Sequence, residues 1–394
     1  MKERRWAAVI AVVVVVAIVV GLVWLRFSSP PSVQDFGPLG VGVQVTNLTS
    51  QLGGSYSPGA IQSLGANESA ILLGGIGVYH KPQGTTLPVL TEWTGSPGAV
   101  HVTNVTSTFS TYFWYGGIYG IVWNGSAWLM AGEATYASYA GGTAIAYSDG
   151  VVKNLTGLVA PYFAHGGIWA VGWNGTSWLL GGNDTAGPVL LSLTGSHLVD
   201  LSSILTPNRP GDWVQLVAWN GSAWIVGGKG VFGSMTGIRY TDLFPQAGFL
   251  GGGVWSAGWN GSAWVVGGGA PAAVGVVKGN VVTPGPTLPA YVTEWIDCVA
   301  PFGSVWILGG KGTGTSGTPE PALLAWNSSA SGSTVLVDLS SHLPGAFDGG
   351  QIQGGGLVPL LGANSVLLVG QGWYDSVTGY SLGAVALLTV LYPG

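Results

Sequence analysis

From Val41 onward, apolar positions come in short strand-length runs broken by Gly and Asn. One phrase recurs: Trp-Asn-Gly-Ser/Thr, then a second Trp, then an apolar pair ending in small residues. It spans Trp123 to Gly132, Trp173 to Gly182, Trp219 to Gly228 and Trp259 to Gly268, with weaker copies at Asn67 to Gly75, Gly303 to Gly310 and Asn364 to Gly370. β-Branched and aromatic residues on both sides of a turn signal predict a tight hairpin. Asn-Gly fits a two-residue type I′ turn, in which both central residues take φ > 0. That turn sets Trp123 opposite Ser126 and Ile121 opposite Trp128, and makes the two Trp diagonal neighbours.

Seven such hairpins make this a repeat protein. In the clearest unit, Gly167 to Trp173 and Ser177 to Gly181 form the hairpin. Val189 to Leu193, a turn at Thr194-Gly195, and His197 to Leu201 complete four antiparallel strands. Such a unit matches one blade of a β-propeller. The outer strand ends in Asx-Leu/Val-Ser/Thr, at Asn104, Asn154, Asp200 and Asp338, with a partial copy at Asp242. An extra copy at Asn47 precedes the first hairpin, while the last unit stops after its third strand, Gly383 to Leu391. The expectation is an all-β, seven-bladed β-propeller over 41–394, closed by Val41 to Leu48 as the missing outer strand. The sixth unit is the loosest, with Gly279 to Thr283 as its outer strand.

The paired glycines ending each second strand (Gly74-Gly75, Gly181-Gly182, Gly227-Gly228, Gly267-Gly268 and Gly309-Gly310) resemble those of kelch-like and WD-type propeller repeats. The Trp positions differ from kelch, so the resemblance implies the fold and carries over no functional residue.

Before the repeats, residues 1–5 form a basic flank. Trp6 to Leu25 is an uninterrupted apolar run ended by Arg26. Its length suits a helix across roughly 30 Å of hydrocarbon, and Trp6 and Trp24 sit where interfacial aromatics belong. Span 6–26 therefore reads as an uncleaved signal anchor with a cytoplasmic N-terminus, and 27–40 as a Pro/Ser stalk entering the propeller's bottom face. The propeller is expected outside the cell. Charged residues are only 7% of the chain, and past Arg26 there are two Arg and five Lys, which excludes a nucleic-acid surface. Low charge, sequons and a single cysteine, Cys298, suit an archaeal-type envelope protein of an acidic habitat.

Asn-x-Ser/Thr sequons stand at Asn47, Asn67, Asn104, Asn124, Asn154, Asn174, Asn183, Asn220, Asn260 and Asn327. They read as N-glycosylation sites, although turn geometry also calls for Asn at several of them. The recurrent Trp read as packing between blades. The aperiodic aromatics read as a ligand-binding rim on the top face: Tyr112, Phe113, Trp114, Tyr115, Tyr162, Phe163, His165, Trp213, Phe249, Trp373 and Tyr374. The ligand expected there is a glycan or an envelope protein, with no cofactor or metal. Ser148-Asp149-Gly150 resembles the Asp box of sialidases but lacks the later Trp, and no arginine triad is available. The function expected is a non-catalytic binding or surface-scaffold module. The alternative is a polymer-acting hydrolase or lyase with carboxylates drawn from Glu92, Glu133, Asp212, Glu294 and Asp297 at the channel mouth.

Overall fold

A computed structural model describes residues 34–36, 41–77, 87–96, 99–113, 116–136, 139–205, 209–302, 305–328, 335–361, 364–375 and 380–391. The basic flank, the anchor 6–26 and most of the stalk lie outside the described residues. Among those described, no helix is long and apolar enough to cross a membrane.

The described strands form seven four-stranded antiparallel units, with inner strands Gly59–Ala66, Gly117–Trp123, Ile168–Trp173, Trp213–Trp219, Gly253–Trp259, Trp295–Phe302 and Gln351–Leu357. These are blades one to seven. The stretch assigned to a sixth unit's outer strand is Val281–Pro284, and it belongs to blade five, against Ala273–Lys278. Blade six takes Val335–Asp338 instead. Blade seven is completed from the other end of the chain: Val41–Asn47 pairs with the strand Tyr380–Leu391, Gly42 facing Leu391 and Asn47 facing Ala386.

Packing follows from the hairpins. Each gap between neighbouring blades holds one apolar cluster. The gap between blades seven and one is filled like the others, by Ile61, Leu73, Trp93, Leu367 and Val385 among others. The second Trp of each strong repeat is buried and faces backward onto the preceding blade: Trp128 on blade one, Trp178 on blade two, Trp224 on blade three and Trp264 on blade four. A fully buried Trp removes about 150–250 Å² from water, worth several kcal/mol at roughly 25 cal/mol/Å².

The hairpin turn differs from expectation. Trp123 lies directly opposite Trp128, and the same holds for Trp173 and Trp178, Trp219 and Trp224, and Trp259 and Trp264. The loop has four residues, closed by Asn124 N–H donating to Ala127 C=O at 3.1 Å. The Asn side chain explains this. Asn124 Oδ1 accepts from Ser126 N, Ser126 Oγ and Ala127 N at 2.9, 3.1 and 2.7 Å, and Asn174, Asn220 and Asn260 repeat the pattern. Only the Gly takes positive φ, 97° at Gly125. A type I′ turn occurs elsewhere, at Asp149-Gly150, with φ of 50° and 80°.

At the end of every outer strand but that of blade five, the Asx oxygen accepts the N–H two residues on, at 3.0 Å for Asn104 and 2.8 Å for Asp200. The next hydroxyl ties to the third strand, as Ser202 Oγ accepts from Leu190 N at 3.1 Å. Asn and Asp interchange here because the turn itself needs only the acceptor oxygen.

The stalk also departs from expectation. Gln34–Phe36 forms a fifth strand beside Val41–Asn47, Phe36 facing Val41 and Gln34 facing Val43. This pair is antiparallel, so Gln34–Phe36 runs opposite to Val41–Asn47.

Candidate channel site

Every inner strand carries one β-bulge, at the same register. The pairing slips between Ile61 and Ser63, Ile118 and Gly120, Ile168 and Ala170, Val214 and Leu216, Val254 and Ser256, Ile296 and Cys298, and Ile352 and Gly354. A bulge leaves one residue out of the ladder and re-aims its side chain. The residues left out are Gln62, Tyr119, Trp169, Gln215, Trp255, Asp297 and Gln353. Together with Trp213 and Asn183 they line a cavity of about 580 Å³ on the ring axis. The paired glycines are the other half of the device. A side chain at Gly132 would collide with the carbonyl oxygen of Gly117, and one at Gly182 with that of Gly167. Glycine therefore lets the bulged strand close on its partner.

The channel wall has two sides. Blades two to five give the aromatic side. Tyr119 and Trp169 rings lie 4.6 Å apart, and Trp213 and Trp255 stack at 6.0 Å with 23° between planes. Trp169 Nε1 donates to Asn183 Oδ1 at 2.6 Å and Trp213 Nε1 to Gln215 Oε1 at 2.9 Å. Blades six, seven and one give the polar side, Asp297, Gln353 and Gln62. The amide oxygens Gln62 Oε1 and Gln353 Oε1 are buried with no hydrogen-bond partner among the described residues.

Charges at the mouth are mostly engaged. Lys311 Nζ meets Glu294 Oε2 at 2.8 Å and sits 4.7 Å over the Trp295 ring. Lys229 Nζ lies 5.0 Å over Trp213. Tyr119 OH donates to Glu133 Oε1 at 3.0 Å. Burial raises the Glu133 carboxyl, and the Tyr119 hydrogen bond opposes that rise. Burial pushes the Asp297 carboxyl up to about 8, with Lys311 pulling it part of the way back. The neighbouring Cys298 thiol is buried and raised to about 12, first by desolvation and then by Asp297, as befits an inert core thiol.

The expected rim is dispersed. Phe113 and Phe163 are fully buried in the clusters behind blades two and three. Tyr112, Tyr162 and Phe249 are partly buried against core clusters. His165 is exposed, its N–H donating to Asp184 Oδ1 at 3.0 Å. Trp213 lines the channel. Trp114 and Tyr115 lie outside the described residues, as do the side chains of Trp373 and Tyr374. Of the candidate carboxylates, Asp297 lines the channel, while Glu133 and Glu294 stand at its mouth through Tyr119 and Lys311. Asp212 lies beside Gly230 in the loop into blade four, and Glu92 is on the third strand of blade one, opposite Leu72. Six channel residues were not picked out from the sequence: Gln62, Tyr119, Trp169, Gln215, Trp255 and Gln353. A signal was present. In the four strong repeats the channel residue stands four positions before the first hairpin Trp.

No family model matches the chain, and no curated protein sequence matches it. Solved structures do. Sqt1 from Chaetomium thermophilum is 10% identical, with a TM-score of 0.52 over 86% of this chain and 98% of its own. Sqt1 bound to the N-terminus of the ribosomal protein L10 matches with the same identity, coverage and TM-score. YCF48 bound to D1 peptide is 10% identical, with a TM-score of 0.53 over 92% of this chain and 100% of its own. Identity this low shows the fold alone: the chain is similar to β-propellers of diverse function, and by fold it is itself a β-propeller.

Proposed function

We propose that this protein is a non-catalytic binding module, a seven-bladed propeller held at a membrane by 6–25 and displayed outside the cell, with its partner seated in the central channel. The observation carrying this reading is the bulge ring. Seven equivalent backbone positions aim seven side chains, of four different types, at one cavity, and its volume lies in the range of ligand pockets. Buried amide oxygens without partners are costly in a folded protein, and a ligand offering donors removes that cost. Two similarly folded proteins were solved with peptides bound, which supports a propeller serving as a binding scaffold. The hydrolase alternative needs two carboxyls flanking one bond. Asp297 is the one carboxylic acid among the described lining residues, and Glu133 is tied to Tyr119.

The test uses full-length protein with a photo-crosslinking residue in place of Gln215 at the channel or Ile238 at the bottom edge, in native membranes. Partner adducts from position 215 that Trp169→Ala suppresses are the expected result. Adducts from position 238 alone, or turnover of a substrate without stoichiometric binding, would overturn the reading.

A further inference from the structure

We propose that the ligand of the channel is a neutral saccharide, lying with its C–H face on the aromatic wall of Tyr119, Trp169 and Trp255 and its hydroxyls on Gln62, Gln353 and Asp297. This rests on the channel being the binding site, as argued above. A pyranose ring is itself two-sided. Its axial C–H bonds form an apolar, weakly positive face, and its hydroxyls form a polar edge that both donates and accepts. The channel presents the complement of each. Aromatic faces carry the negative end of a quadrupole, and they occupy blades two to five. Amide and carboxyl groups, which donate and accept in the same way, occupy blades six, seven and one.

Competing ligand chemistries fit less well. A quaternary ammonium would welcome aromatic faces, but it has no hydrogen to give Gln62 Oε1 or Gln353 Oε1, both buried and unpartnered among the described residues. A lysine ammonium also stands over one ring at the mouth, Lys229 over Trp213, and it would repel a cation there. An acidic saccharide or a phosphate wants a committed cation. The described lining residues include none, and Lys311 beside the channel is neutralised by Glu294 at 2.8 Å. A carboxyl held largely protonated suits a neutral hydroxylated partner, because as an acid it donates to a hydroxyl and accepts from another. An extended peptide recognised through its backbone needs a free strand edge. The inner strands are the edge strands of their sheets, but each is interrupted by its bulge, and a bulge spoils an edge for strand addition.

The experiment titrates full-length protein in detergent with maltotriose, mannotriose, chitotriose, trigalacturonic acid, choline and a neutral peptide, following tryptophan fluorescence and heat. At least one neutral trisaccharide should bind and quench. Trp169→Ala and the double variant Gln62→Leu/Gln353→Leu should each weaken it by about tenfold or more, and Trp169→Phe should restore part of the loss. Ile238→Ser, on the bottom edge, should leave binding unchanged. The double variant carries a second signature that a merely structural role would not give. Removing two unsatisfied buried amides should raise the Tm of the free protein while binding is lost. Three results would overturn the saccharide assignment: no response to any neutral trisaccharide, tighter binding of choline, or tighter binding of trigalacturonic acid. Peptide binding that the channel variants abolish would also overturn it, while leaving the binding-module reading intact. Binding of any probe that the channel variants do not touch would overturn both.

Discussion

Two positions in every blade, a few residues apart on the inner strand and its turn, behave in opposite ways. At the hairpins of blades two to five the same residues return: Trp173 against Trp178, Trp219 against Trp224, with Asn174 or Asn220 gripping the loop between. At the bulge the backbone returns but the side chain does not, giving Gln, Tyr, Trp, Gln, Trp, Asp and Gln around the ring. The hairpin residues answer to the neighbouring blade, whose shape repeats, so their chemistry repeats. The bulge residues answer to whatever lies on the axis, which breaks the ring's near-symmetry. In a repeat fold, the site to suspect is the position where geometry is constant and chemistry is not.

The comparison supposes a closed ring, and opening the ring is the largest perturbation available. Deleting residues 41–50 removes the outer strand of blade seven, including buried Val43, and exposes the edge of Tyr380–Leu391. Light scattering should show aggregation and the cooperative melt should be lost. A monomer melting at the parent temperature would disprove closure.

The second expectation sets the two positions directly against each other. Trp178→Ala empties a core site between blades and should cost about 3–5 kcal/mol in denaturant unfolding. Trp169→Ala, half-buried on the channel wall, should cost about 1 kcal/mol while removing ligand binding. Equal costs would erase the distinction between scaffold and site.

A third measurement separates turn chemistry from glycosylation. Asn174→Ala removes an acceptor of several hydrogen bonds and should cost about 1–2 kcal/mol. Asn174→Asp keeps the oxygen and should stay within about 0.5 kcal/mol, as Asp200 and Asp338 serve at the equivalent Asx turns of outer strands. If the Asp variant falls as far as the Ala variant, in a host that glycosylates the site, then the glycan and not the turn explains the Asn.

A last expectation concerns pH. The folded state holds the Asp297 proton up to about pH 8, whereas the unfolded chain releases it near about pH 4. Across that window the native state binds more protons, so stability falls as pH rises and is lowest above it. Asp297→Asn should flatten this dependence and stabilise the protein at pH 8 relative to the parent. An unchanged pH profile would mean that Asp297 is not the group responsible.

Much of the scaffold is written locally. Trp-Asn-Gly-Ser/Thr specifies a hairpin because Asn bonds its own loop and Gly tolerates φ of 97°, and no distant residue is needed for that. The surplus outer strand at Asn47 and the missing one after Leu391 together announced the ring closure, because a sheet edge has to be satisfied somewhere. The details that failed were those in which a side chain competes with the backbone. The Asn carboxamide overrode the type I′ turn and moved Trp128 from diagonal to opposite. The channel failed for a different reason. Trp169 and Trp173 are both Trp in a strand, and nothing local says that one packs on Trp178 while the other leaves the ladder. Phe113 and Trp213 likewise read as the same kind of loop aromatic, yet one is buried in the core and the other reaches the axis. Strand, turn and repeat are set by interactions within a few residues of each other, and the sequence determines them. The convergence of seven bulges on one axis depends on how whole blades sit against one another, and only the tertiary structure decides that.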